Sequence, residues 1–215
     1  MSKKDLNQNA IFVQELISSI EPNFTFNNKP LNRFEITKNT SDSTNSNKLE
    51  LLLELKKEIN SIENCNLKNN SKSLVLGDGN INSPIMVIGE APGKLEDKLG
   101  LCFQGSVGTL LNKMFAAINI QRDKIYLTYS INYRPPEDRK PTTQEIKRYS
   151  KFLKKHISII NPKMIILMGS TAMECVTGLN GRISNERGNW KEIILKNQTI
   201  SLMITFSPSY LIRFP

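Results

Sequence analysis

Four short apolar runs, at residues 85–88, 125–128, 164–168 and 200–206, alternate with stretches of helical spacing along this chain. The first intervening stretch places Val107, Leu110, Leu111, Met114, Phe115 and Ile118 on one side. The second opens with Thr142-Thr-Gln-Glu145, a capping box in which hydroxyl and carboxylate satisfy each other's backbone amides, and continues through Ile146, Tyr149, Phe152, Leu153 and Ile157. A third, short helix is predicted from Ser170 to a stop at Gly178. Strands alternating with helices predict an α/β fold: a mainly parallel, four-stranded sheet covered on both faces. Such a sheet carries all its carboxyl ends on one rim, where ligands bind.

The 215 residues allow one good-sized core plus an appendage. Spacing of Ile11, Phe12, Leu16 and Ile20 predicts a helical appendage within residues 1–38. Residues 39–48, rich in Asn, Ser and Thr, read as a linker that buries too little to order itself. Helical periodicity resumes at Leu49, Leu52, Leu53, Leu55 and Ile59, so the main domain is assigned to residues 49–215. The net charge of +9 suits a polyanionic partner. No apolar run approaches the ~20 residues of a spanning helix, and the first residues lack a signal-peptide core. Cys65, Cys102 and Cys175 lie far apart, and His156, among lysines, reads as a solvated surface residue. A cytosolic, metal-free protein is expected.

The first rim segment carries the chemistry. An apolar run breaks at Gly89, delivers a carboxylate at Glu90 and turns through Ala91, Pro92 and Gly93. The acids Glu96 and Asp97 follow, then Phe103 between glycines. Carboxylate, tight turn and flat ring suggest a pocket for a planar ligand. Two further rim segments, residues 129–140 and 207–215, mix prolines, aromatics and cations. Arg and Lys on rigid turns suit phosphates, and protruding Tyr and Leu suit insertion into a base stack.

These residues resemble the type 4 uracil-DNA glycosylases. The likeness rests on Gly89-Glu-Ala-Pro-Gly93, Glu96-Asp97, Gly100-x-x-Phe103-x-Gly105, Arg134-Pro-Pro136, Arg187-Gly188-x-Trp190 and Pro208-Ser-Tyr-Leu-Ile-Arg213. It runs from about Cys65 to the last residue and implies a three-layer α/β/α sandwich that removes uracil from DNA by cleaving the base–sugar bond. On that footing Glu90 positions the attacking water and favours the cationic sugar, and Phe103 stacks on an everted pyrimidine. Gly89, Ala91, Gly93, Glu96 and Tyr129 complete the substrate pocket. Arg134, Lys140 and Arg213 grip phosphates, and Tyr210 with Leu211 fills the gap left in the duplex. The expected partner is uracil-containing DNA, with no membrane, and the protein is expected to act as a monomer.

Four departures from the pattern bear on activity. The family's four cluster cysteines fall here at Ile62, Cys65, Tyr133 and Tyr149, so no iron–sulfur cluster and no other cofactor is expected. Tyr129 stands where the family has an Asn whose amide reads the uracil edge, and Asn132, on the opposite strand face, is a poor replacement. Ser207 stands where the family has a His, which lowers the strength of a donor to the leaving oxygen. The chain stops at Pro215, where the family continues with another helix; uncovered apolar sheet surface is expected. Two readings follow: a uracil-DNA glycosylase weakened at Tyr129 and Ser207, or a DNA-binding relative of the same fold with impaired chemistry. A nucleotide-binding domain unrelated to repair is disfavoured, because no phosphate-loop motif follows a strand.

Overall fold

A computed structural model describes residues 40–195 and 198–214. The helix expected near residues 10–20 lies outside them. Within the unit formed by residues 41–215, eight helices and six strands are described. In chain order these are α1 (Thr40–Asn60), α2 (Asn66–Asn70), β1 (Gly77–Gly79), β2 (Ile85–Gly89), α3 (Lys94–Leu99) and α4 (Gly105–Ala116). There follow β3 (Tyr126–Tyr129), α5 (Thr143–Ile160), β4 (Met164–Met168), α6 (Ser170–Thr177) and α7 (Ile183–Glu186). The chain closes with β5 (Trp190–Leu195), β6 (Gln198–Thr205) and α8 (Pro208–Arg213).

The sheet has six strands rather than four, in the order β1-β3-β2-β4-β6-β5. The four expected strands form its parallel centre, and β1 and β5 add an antiparallel strand at each edge. Alternation sends successive side chains to opposite faces. Met86, Ile88, Ile165, Leu167, Leu202 and Ile204 join the core under α1, α5 and α6. Val87, Leu127, Tyr129 and Met168 join the core under α4. Helices on both faces make the expected α/β/α sandwich.

Two expectations need correction. The helix α1 begins at Thr40, so the stretch read as a linker is largely helical, and Lys48 ties it to the domain by donating to the carbonyls of Ile81 and Ile160. Burial on α1 falls on Leu52, Leu55 and Ile59, while Leu49 and Leu53 are exposed. His156 is buried, not solvated: its Nε2 lies 2.9 Å from the Tyr126 hydroxyl, and burial pushes its pKa down to about 3. It sits on the apolar stripe that includes Tyr149, Leu153 and Ile160. At the β5 edge, Trp190 and Ile194 are exposed.

Candidate active site

Parallel pairing brings the strand ends together. Gly89 lies opposite Tyr129, Ile88 opposite Leu167, and Met168 opposite Thr205. The loops leaving those ends enclose a cavity of about 550 Å³. Its wall holds Glu90, Phe103, Tyr129 and Lys140 from the first two rim segments, and Ser207, Tyr210 and Arg213 from the third. Gly89, Ala91, Gly93 and Glu96 also line it.

The floor is an aromatic pair. Phe103 and Tyr129 rings lie 4.9 Å apart at 32°, and both residues are under 5% exposed (3% and 4%). Gly89 makes this possible, because a Cβ there would sit 2.7 Å from Phe103 Cζ and 2.8 Å from Tyr129 Cδ1. The Phe103 amide donates to Tyr129 Oη at 2.9 Å. Burial, then the nearby Cys102 and Glu96, hold the Tyr129 phenol well above its ordinary pKa, so the hydroxyl stays neutral. Phe103 has φ +48°, a costly conformation for a non-glycine residue. Arg122 braces it from outside by donating to the carbonyls of Phe103 and Cys102, while Asp78 accepts from the Cys102 amide and pairs with Arg122.

Glu90 is held from across the sheet. Its Oε1 accepts the Thr171 amide at 3.1 Å and the Ser170 hydroxyl at 3.4 Å. Glu96 reaches the cavity wall, but its two oxygens accept the amides of Gly93 and Gln104, so it staples the loop instead of presenting a free carboxylate. The Gly93 amide is thereby lost to a ligand. Asp97 likewise accepts the amides of Lys72 and Ser73.

The cationic lip differs in detail from expectation. Arg134 does not line the cavity; its guanidinium grips Asp138 with two bonds of 2.7 and 2.8 Å. Hydrogen bonding to that guanidinium holds the Asp138 carboxyl below its usual range. Arg139, which motif reading passed over, is on the wall and paired with Glu145. Lys140 lines the cavity and makes no ion pair among the described residues. Tyr210 stacks between Phe206 and Phe214, at 4.7 and 4.9 Å, whereas Leu211 is half-buried and off the cavity wall. Ser207 N-caps α8 by accepting the Tyr210 amide at 3.2 Å. Asn132 donates to the Val75 carbonyl and faces away from the cavity.

Comparison with known proteins decides the family. Residues 76–215 match the profile of the Uracil DNA glycosylase superfamily. The type-4 uracil-DNA glycosylase of Thermotoga maritima is 37% identical over 150 residues, covering 69% of this chain and 77% of that protein. The chain belongs to the type-4 uracil-DNA glycosylase family. The enzyme of the same name from Archaeoglobus fulgidus is 30% identical over 171 residues, covering 78% of this chain and 86% of its own. That of Sulfurisphaera tokodaii is 33% identical over 169 residues, covering 75% and 76%.

Family likeness raises the question of a cluster, and the residues at the four corresponding places do not fit one. Cys65 Sγ lies 3.5 Å from the Tyr149 hydroxyl, Tyr133 donates to Asn60 Oδ1 at 2.6 Å, and Ile62 packs beside them. Burial lifts the Tyr149 phenol above its ordinary pKa and pushes that of Tyr133 up to about 12. One thiol, two neutral phenols and an alkyl chain cannot replace four thiolates. Among the described residues no group of His, Cys, Asp and Glu is arranged to hold a metal ion.

Proposed function

We propose that this glycosylase hydrolyses the N-glycosidic bond of deoxyuridine in DNA, with the nucleotide everted into the 550 Å³ cavity. The observation that carries the reading is the placement of Glu90 on the wall that also holds Phe103 and the cations Lys140 and Arg213. A base inside a duplex is unreachable, so eversion costs a few kcal/mol of unstacking that backbone contacts must offset. Lys140 and Arg213 supply those contacts, and the Phe206–Tyr210–Phe214 ring stack braces the lip. As the C1′–N1 bond lengthens, positive charge grows on the sugar and negative charge on uracil. Glu90 stabilises the first and orients a water whose oxygen attacks C1′; the water's proton passes to the Glu90 carboxylate, and the departing uracil anion takes a proton from solvent. Ser207 is the neutral donor assigned to the leaving base, weaker than a charged one.

No cofactor enters these steps, and a cluster-free protein is part of the proposal. Action on DNA fits a protein that works in the compartment holding the genome, which supports a cytoplasmic location. No helix among the described residues is long and apolar enough to cross a membrane.

A second reading, a DNA-binding relative with impaired chemistry, draws on the Tyr129 ring pressed against Phe103, which leaves both residues almost fully buried at the cavity floor. Incubating excess protein with single- and double-stranded uracil-containing oligonucleotides separates the two. Excision yields free uracil and alkali-labile abasic sites; tight DNA binding with no abasic product establishes the second reading.

A further inference from the structure

We infer that the turn Gly169-Ser170-Thr171, at the start of α6, is a positioning device for the Glu90 carboxylate. The inference rests on the uracil-excision reading and deepens it. Since β2 and β4 are parallel neighbours, the chain leaves both at the same rim, and Glu90 emerges beside Gly169. The two are fitted to each other: a Cβ on Gly169 would sit 2.3 Å from Glu90 Cδ and 2.4 Å from Cγ. Gly169 has φ +103°, open in practice to glycine alone. The first amides of a helix lack intrahelical acceptors, and that of Thr171 is directed at Glu90 Oε1. The Ser170 hydroxyl meets the same oxygen.

The contacts are one-sided. Both known bonds go to Oε1, and Oε2 accepts none among the described residues. A glutamate otherwise free to turn about three bonds is therefore fixed before substrate arrives, with one oxygen anchored and the other left for water or sugar. Fixing a reacting group in advance is worth most where the attack angle matters, and a misplacement of about 1 Å costs about 10²-fold in rate. Thr171 is among the residues lining the cavity, and its Oγ1 is the one buried side-chain N or O atom without a partner among the described residues. The plain alternative is that Glu90 merely caps α6 for stability.

A double-mutant cycle distinguishes them. Gly169→Ala and Ser170→Ala are each made in the native chain and in Glu90→Ala, and single-turnover uracil release is measured alongside the Kd for uracil-containing DNA. Gly169→Ala should slow release about 10²-fold with Kd little changed, and Ser170→Ala should slow it several-fold. The Ser170→Ala effect should vanish in the Glu90→Ala background, where no carboxylate remains to place, and the Gly169→Ala effect should shrink there to what the backbone strain at φ +103° alone imposes. Equal losses in both backgrounds overturn the inference. Ser170→Ala removes one half-buried hydroxyl and adds no atom, so the cycle survives even if Gly169→Ala fails to fold. Independently of activity, the Thr171 amide proton should titrate with Glu90 in NMR spectra and stop doing so in Glu90→Gln. An amide that ignores Glu90 sinks the cradle in an active enzyme, whereas an inactive native chain whose amide does titrate sinks only the excision reading.

Discussion

Replacing Tyr129 by Phe isolates the bond that holds the pocket floor. The ring, and with it the packing on Gly89 and Phe103, is retained; the hydroxyl that accepts the Phe103 amide is removed. That amide is buried, so losing its acceptor leaves an unsatisfied donor, at a cost of about 1–3 kcal/mol. The bond also restrains Phe103 at φ +48°, a conformation carrying roughly 1–3 kcal/mol of its own strain. Arg122 still holds the carbonyls of Cys102 and Phe103, so the loop should loosen without collapsing. We expect a loss of about 2 kcal/mol, near the middle of the unsatisfied-donor range. For a domain of this size that lowers Tm by roughly 4–8 °C. Urea unfolding should show a lower midpoint with unchanged slope. Uracil release should slow, because the ring that meets the base is no longer fixed. A variant within about 0.5 kcal/mol of the native protein, the range typical of inert surface changes, would refute the claim that this hydroxyl holds the Phe103 loop.

Other consequences can be checked directly. His156 stays neutral in the fold to about pH 3, while in the unfolded chain it takes a proton below its ordinary 6.5. The unfolded state therefore binds more protons in that window, and stability falls as pH drops from 6.5, by at most about 1.4 kcal/mol per unit. His156→Gln should flatten that limb between pH 6.5 and the carboxylate range, and an unchanged limb in urea titrations contradicts a buried neutral imidazole. Protein purified without oxygen should carry no iron by elemental analysis, and Cys65→Ser should leave excision intact; stoichiometric iron would overturn the fit argument. Lys140→Ala should weaken DNA binding and reduce the salt slope of log K by about 1, whereas Arg134→Ala, whose partner is Asp138, should not change that slope.

Much of this was legible because the sheet's centre is written in apolar runs and its helices in spacing and caps. The Thr142–Glu145 capping box and the stop at Gly178 are where the residues place them. Strand β1, Gly77-Asp-Gly79, carries no strand composition and exists by backbone pairing with β3. His156 was misjudged from its lysine neighbours, although its phase with Tyr149 and Leu153 already put it on the buried stripe. The Arg134–Asp138 pair, four residues apart, and Ser207 before Pro208 as a helix cap were both readable locally. The contact of Glu90 with Ser170 and Thr171 was not, because 80 or more residues separate them and only sheet topology unites them. Even so, Gly169 after an apolar run repeats the pattern of Gly89, a hint that a second strand end feeds the same site.

Single-turnover uracil release by the native protein and by Glu90→Gln, an exchange that keeps shape and removes charge, bears most directly on the claim that one carboxylate on the wall of a shared cavity drives the chemistry. The predicted result is a fall of about 10²–10⁴-fold with DNA affinity retained. Release by Glu90→Gln at the native rate would show that the cavity works without that charge and would contradict the account.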